Sequence, residues 1–392
     1  MDPLKRIVAI GAASYWINGA TYVAWGAVLT ELLAHYGKSY SSGGLLVFNL
    51  FLGFLSGVLS MPLLARRIGS RASISGCYAL LAAAALTTAL LPPWPVAVTL
   101  PFAAGFAFGL TEASVSTFVL LAADRKQADA FSKLEVAYGA GAMMTPLLSS
   151  LLIAGGLWRG SFLALGAGTL VIAWLWSRLS FGPHDARLAY RPAEARTMAA
   201  APAWTRRSAL FFALLLLVFF LYVGLENVLV NFLPSLFRDR LHASTSLSTL
   251  TVSFYWLTMV VGRLFAGRLA EKVSYWRYLF IAYAGSLAIV LLWMPMASIG
   301  LSFALVLLLG LLMSGMFAIG IIYANAMLPG RTEQTTSLLI AAGGLGGSLL
   351  PLATGPAMDR WGVGSSLTVV AGGLLLALLL LLLSRGTLSP HE

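Results

Sequence analysis

Long apolar runs broken by short polar segments organise this chain. A hydrocarbon layer about 30 Å thick needs roughly 20 apolar residues per helical crossing. Twelve stretches meet that length: 7 to 36, 43 to 65, 71 to 91, 96 to 122, 129 to 155, 158 to 180, 208 to 237, 246 to 269, 277 to 295, 298 to 326, 335 to 357 and 362 to 384. The breaks between them carry turn chemistry, as at Pro92-Pro93 and Pro329-Gly330, or charge, as at Arg238-Asp239-Arg240. The pattern predicts an all-α integral membrane protein of twelve transmembrane helices. Its first stretch continues well past signal-peptide length with no A-x-A site, so it is read as a retained span.

The sequence also repeats itself. At a shift of 205 residues Gly19 falls on Gly224, Gly57 on Gly262, Gly105 on Gly310 and Pro146 on Pro351. The segment Gly139-x-Gly141-x4-Pro146 recurs at the same shift as Gly344-x-Gly346-x4-Pro351. A single glycine match reads as close helix packing in a bilayer; several at one offset argue for duplication. Two pseudo-symmetric six-helix bundles follow, 1–181 and 208–392, joined by a linker over 182–207 that carries Arg187, Arg191, Arg196, Arg206 and Arg207 among Ala and Pro.

Composition narrows the class. Of 392 residues 59% are hydrophobic and 10% charged, against about 45–50% and about 25% in soluble domains, which leaves almost no room for a soluble domain. A net charge of +11 would point to nucleic acid in a soluble protein, but here its placement decides. With the N-terminus inside, the outer loops hold only Lys38, Arg159, Arg238, Arg240 and Arg360 of the 25 Lys and Arg. That asymmetry predicts cytoplasmic termini and a multi-pass protein of the cell membrane, with the bilayer and not nucleic acid as its partner. Cys77 stands alone, which excludes an intrachain disulfide and a Cys-based metal site. The histidines at 35, 184, 242 and 391 fall in loops, at a helix end or at the tail, so neither a metal cluster nor a Ser-His pair can be drawn. The Gly-rich pieces Gly139-Ala140-Gly141 and Gly343-Gly344-Leu345-Gly346-Gly347 lie in apolar spans with no strand before them, and no Walker motif is present. No enzyme, metal or cofactor is expected. Energy for work comes from a gradient or from the substrate itself.

Of fourteen Asp and Glu residues, only Glu31, Glu112, Glu135 and Glu226 lie well within spans. An ionisable group at mid-membrane costs roughly 3 kcal/mol on insertion scales and usually faces a cavity or a partner. Glu112, with Ser116 one turn on, suits proton coupling; its bland reading is a permanently neutral Glu bonded between helices. Glu226 has Tyr222 four residues before it and Asn227 and Asn231 on neighbouring turns, an arrangement that suits substrate binding or interhelical hydrogen bonds. Glu135 lies in reach of basic loop ends, as an ion-pair member at a gate or as a coupling acid. Glu31, near His35 and Lys38, reads as a solvated helix end. Tyr15, Asn18, Tyr22 and Trp25, spaced three, four and three, share one helix face. Such a stripe stacks a sugar's C–H faces and bonds its hydroxyls, or it packs and anchors. Tyr255, Trp256, Tyr323 and Asn325 are of the same kind. Arg263 has Glu135 or Glu271 as candidate partners, or snorkels.

The loop Gly267-Arg268-Leu269-Ala270-Glu271-Lys272-Val273-Ser274 resembles the G-x-L-a-D-r-x-G signature of the major facilitator superfamily, in which the acid engages a neighbouring helix end; the first-half copy, Pro62 to Arg71, has Arg66 in place of the acid. The resemblance spans essentially the whole chain and implies two parallel six-helix halves with a midplane site at their interface, the arrangement for which this superfamily is a standing example. Glu112 to Ser116, Lys133 to Gly141 and Phe220 to Glu226 are similar to the fucose:proton symporter family and related sugar carriers, with one departure: that family's helix 1 acid is Gly26 here. The resemblance implies a monomeric secondary transporter in which Glu112 and Glu135 handle protons or another cation. Tyr15, Asn18, Tyr22, Glu112, Tyr222, Glu226, Asn227, Asn231, Tyr255, Tyr323 and Asn325 then contact a small-molecule substrate, a sugar or sugar-like compound, and Arg263 and Glu271 gate. Two alternatives stand beside this reading: an efflux carrier for drugs, lipids or other amphiphiles, and a non-transporting receptor or scaffold. Pro146 follows Gly141 by five residues, whereas the drug-antiporter signature joins Gly and Pro directly.

Overall fold

The computed structural model describes residues 3–123, 127–182, 185 and 204–386. Within them there is no strand. The first half runs α1 (Pro3–Ala27), α2 (Leu29–Tyr36), α3 (Tyr40–Ile68), α4 (Ser70–Ala89), α5 (Trp94–Ala97), α6 (Leu100–Ala123), α7 (Gln127–Ala154) and α8 (Gly160–Arg178). The second half runs α9 (Arg206–Ser235) and a π-helical turn (Leu236–Arg240), then α10 (Thr245–Val273), α11 (Tyr275–Trp293), α12 (Ile299–Met313), α13 (Met316–Met327), α14 (Thr332–Trp361) and α15 (Ser365–Arg385). Among the described residues twelve segments are long and apolar enough to cross a membrane. Of the expected linker, Gly182, Asp185 and residues 204–207 are described; Arg187, Arg191, Arg196, His184 and His391 lie outside the described residues.

Three spans break where their hydropathy outline runs on. The fourth, expected over 96 to 122, breaks at Val98–Thr99, between α5 and α6. The first, expected unbroken over 7 to 36, stops at Ala27, and Val28 leaves helical geometry (φ −117°, ψ 20°). The Thr249 hydroxyl donates 3.0 Å to the Ala27 carbonyl, so the break leaves that acceptor paired. The tenth, expected over 298 to 326, breaks at Ser314–Gly315, where the Ser314 hydroxyl donates 2.7 Å to the Leu311 carbonyl. A side chain on Gly315 would fall on the hydroxyl of Tyr278.

Contacts sort the chain into two compact units: Met1–Lys38, Leu45–Ala195 and Thr245–Ser253 in the first, and Ser39–Gly44, Arg196–Ser244 and Phe254–Glu392 in the second. In the first, α1 packs along α7, and α4 against α6 and α8. In the second, α9 packs along α14, and α11 against α12 and α15. The repeat therefore survives as packing, and it is carried by glycines. A Cβ on Gly105 would strike the carbonyl of Leu50, and one on Gly310 the carbonyl of Tyr255; Gly57 faces Phe106 as Gly262 faces Leu311. Donor and acceptor positions alike are displaced by 205 residues.

The unit boundaries do not follow the linker. The opening turns of α3 and α10, which begin at Tyr40 and Thr245, are each grouped with the other half of the sequence. In the first unit, Ser150 and Ser246 each donate a hydroxyl 2.8 Å to the other's carbonyl. In the second, the N–H groups of Tyr40 and Ser41 donate to the carboxylate of Asp359 at 2.7 and 2.9 Å, an acid capping the positive start of a helix. The Tyr40 hydroxyl also reaches Asp239.

The turns before α4 and α11 match as well. Gly69 and Ser274, 205 residues apart, both take positive φ (82° and 87°) with ψ near 150°. That region is essentially reserved for glycine and costs a side chain about 1–3 kcal/mol. The Ser274 hydroxyl caps the Arg277 N–H at 3.5 Å, a long bond that offsets little. Ser274→Gly should stabilise the protein by about 1 kcal/mol, since exchanging a cap for glycine loses only a few tenths; a thermal unfolding midpoint that falls would contradict this.

At the loop end of the first unit, Arg71 holds Asp185 at 2.5 Å and lies over the ring of Phe181 at 5.4 Å. Burial works against the charge on Asp185. Hydrogen bonds from the Ser180 hydroxyl and the Phe181 N–H, together with Arg71, outweigh it and hold the carboxyl below the usual carboxylate range. The clasp is complete at neutral pH and loosens only as acid protonates Asp185.

Candidate functional site

Two clusters, one in each unit, gather several of the residues singled out from the sequence. In the first, α1, α6 and α7 bring Tyr15, Tyr22, Glu112, Glu135 and Tyr138 together. Close approach of α1 and α7 makes this possible: a Cβ on Gly19 would strike the carbonyl of Tyr138, and one on Gly141 the carbonyl of Trp16. Tyr138 is the hub, with ring centroids 6.4 Å from Tyr15, 6.0 Å from Tyr22 and 6.4 Å from Phe108. The Tyr15 hydroxyl donates 3.2 Å to the main-chain carbonyl of Glu112. Glu112 is half-buried, and its Oε2 is sequestered without a hydrogen-bond partner. Glu135 is near enough to act on Glu112 electrostatically. Two carboxylates that feel each other are relieved by a proton or another cation between them.

The helix 1 stripe divides. Tyr15 and Tyr22 turn to Tyr138, and Tyr22 also meets Phe51 at 5.6 Å. Asn18 and Trp25, on the other edge of the same face, are buried in packing. The Asn18 Oδ1 accepts from Tyr78 at 3.3 Å and from Thr111 at 3.2 Å. Beside it the Trp176 indole donates 2.8 Å to the Ser14 hydroxyl, and Trp25 lies 5.2 Å from Phe162. Glu31 accepts from the Thr30 hydroxyl at 2.8 Å, half-buried in α2.

In the second cluster Glu226 is buried on α9 with Tyr222 one turn before it. The Tyr222 hydroxyl lies 3.2 Å from the Met313 carbonyl, and that of Tyr255 3.5 Å from the Met313 sulfur. Arg263 lies over the Trp256 ring at 5.6 Å, and its charge acts on Glu226. Asn227 and Asn231 direct their Nδ2 groups to α9's own carbonyls, Val223 and Asn227, both at 2.9 Å. Their Oδ1 atoms are buried with no hydrogen-bond partner. Two neighbouring turns thus present bare acceptors. Tyr323 and Asn325 stand apart on α13: Tyr323 meets Phe211 at 5.7 Å, and Asn325 donates 3.0 Å to Thr336. Glu271 is exposed at the end of α10.

Three contributors stand outside the candidates read from the sequence, and only one of them carries a local sign. Tyr138 follows Glu135 by three residues and so shares its face. Tyr78 and Thr111, which hold Asn18, lie on other helices and carry no local sign of doing so.

Paired acids and aromatic rings mark the cluster of the first unit and unfilled acceptors that of the second, each among helices long and apolar enough to cross a membrane. The glucose/mannose transporter GlcP of Bacillus subtilis (strain 168) is 24% identical over 362 residues, covering 91% of this chain and 89% of that protein. The fold matches the crystal structure of a D-xylose-proton symporter with TM-score 0.78 at 14% identity, over 100% of this chain and 98% of that one. It matches the nucleoside transporter NupG with TM-score 0.75 at 13% identity, over 99% of each chain. The profile of the Major Facilitator Superfamily matches residues 11–351, and this twelve-span membrane chain, a transporter and not an enzyme, belongs to that superfamily.

Proposed function

We propose that the chain is a proton-coupled carrier for a hexose or a similar polyhydroxylated solute, set in the cell membrane with both termini cytoplasmic. The observation that carries the proposal is the pair of buried, unpartnered Oδ1 atoms of Asn227 and Asn231 beside Glu226. Each bare acceptor costs about 1–3 kcal/mol until a donor arrives, and a sugar brings a ring of hydroxyl donors. An amphiphile with neither O–H nor N–H donors would leave both unmet. Within the first unit, Tyr15, Tyr22 and Tyr138 present apolar ring faces of the kind on which a sugar's C–H groups rest. Glu112, with its sequestered Oε2, carries the proton, and Glu135 shares its field. Arg263 steadies Glu226, while the exposed Glu271 belongs to the gating loop. The names of two similar proteins support the pairing: one moves glucose and mannose, and the other couples xylose to protons.

Proteoliposomes with an imposed pH gradient test the reading. Labelled glucose or mannose should accumulate when the outside is acidic, and collapsing the gradient should stop it. Asn231→Ala should raise the half-saturating sugar concentration about tenfold, the equivalent of one hydrogen bond of about 1.4 kcal/mol. No accumulation of any sugar, nucleoside or other polyol under either gradient polarity would defeat the proposal.

A further inference from the structure

A recess lies in the second unit, where α10, α11 and the break between α12 and α13 meet. It encloses about 300 Å³, roughly twice the ~150 Å³ of an apolar cavity able to hold a benzene ring. Small residues make the space: Gly262 and Ala266 on α10 and Ala282 on α11 leave it unfilled. Its lining is almost wholly apolar, with the hydroxyls of Tyr278 and Ser314 as its polar side-chain groups. The rim is the strongly exposed set Phe265, Leu269, Ile281 and Leu311, and on a membrane-spanning bundle exposed apolar side chains face hydrocarbon. A helix, about 10–12 Å across, is too wide for such a slot between three helices. A single alkyl chain fits.

The nearer end of the recess adds charge. Val273 and Tyr278 line it, and the helix ends that meet at Ser274 carry Arg268 and Lys272 on α10 and Arg277 on α11, all exposed, with Glu271 as the acid among them. Exposed Lys and Arg at the edge of a span attract anionic headgroups. We propose that this recess binds one acyl chain of an anionic phospholipid, whose headgroup phosphate is held by Lys272 and Arg277. The bound chain would end against Ser314. Its neighbour Met313 receives the hydroxyls of Tyr222 and Tyr255, so the lipid and the Glu226 cluster lie on two sides of one helix break.

The test is photolabelling of the full chain in nanodiscs, using phosphatidylglycerol or phosphatidylcholine with a diazirine in the acyl chain. With the phosphatidylglycerol probe, label should concentrate on peptides spanning 262–282 and 311–314, several-fold above the phosphatidylcholine probe. Lys272→Gln with Arg277→Gln, at exposed positions that leave packing untouched, should remove that preference. Ala282→Trp, which fills the slot, should remove the label at these peptides with both probes. Equal labelling by the two probes in the unmodified protein, or label spread evenly to outward residues such as Leu375 and Leu379 on α15, would mean annular lipid only and would overturn the site.

Discussion

Glu112→Gln should yield a carrier that still exchanges labelled sugar across the bilayer but no longer accumulates it against a gradient when a pH difference is imposed. Loss of folding is not the expected cause. The hydrogen bonds at this position go to the main chain: Tyr15 and Ser116 both donate to the Glu112 carbonyl, at 3.2 and 2.8 Å, and glutamine keeps that carbonyl. What the amide removes is the ability to take up and release a proton inside the membrane, the service for which an intramembrane acid is ordinarily kept. Accumulation should therefore fall to the level of passive leak while counterflow persists. If Glu112→Gln accumulates sugar normally, the coupling proton resides elsewhere, and Glu135→Gln becomes the variant to measure.

Gly141→Val should be among the most damaging single changes in the chain, costing about 3 kcal/mol or more, at or beyond the upper end of ordinary overpacking. The added carbon would land on the Trp16 carbonyl, main chain that cannot rotate aside, and the α1–α7 crossing would have to open. Opening it carries Tyr138 away from Tyr15 and Tyr22, so transport should fail together with stability. Gly346→Val should cost a similar amount in the second unit, where the obstacle is the Phe220 carbonyl. Gly76→Val is the control, because nothing lies within 4 Å of its would-be Cβ. Thermal unfolding midpoints in detergent decide the matter; equal midpoints for Gly141→Val and Gly76→Val would show that the helices yield easily.

These glycines also show how far the sequence could be read. Hydropathy locates spans because a bilayer demands length and apolarity of every crossing, and the 205-residue offset reappears as matched contacts, Gly105 on Leu50 and Gly310 on Tyr255. Local pattern was blind where a distant segment decides. The stop at Ala27 has no Pro and only Gly26 beside it to announce it, and it is met by Thr249, 222 residues away. Gly315 sits in the tenth break but is one glycine among 39. The helix 1 stripe defines a face about 80° wide at 100° per residue, and spacing cannot tell which neighbour stands at each edge. Tyr22 thus finds Tyr138 while Asn18 finds Tyr78 and Thr111. The sequence offers Arg263 either Glu135 or Glu271 as a partner, or a snorkelling position; in the structure it lies over Trp256, in the field of Glu226.

The borrowed opening turns of α3 and α10 bear on how this protein can be taken apart. A cut in the linker leaves two six-span fragments, yet neither is a finished unit. The first fragment keeps Tyr40 and Ser41, whose amides satisfy Asp359, and the second keeps Ser246 and Thr249, which satisfy Ser150 and Ala27. Each fragment departs with a piece the other requires. The two copies of the plan should therefore recover their folded stability only when both fragments are supplied together.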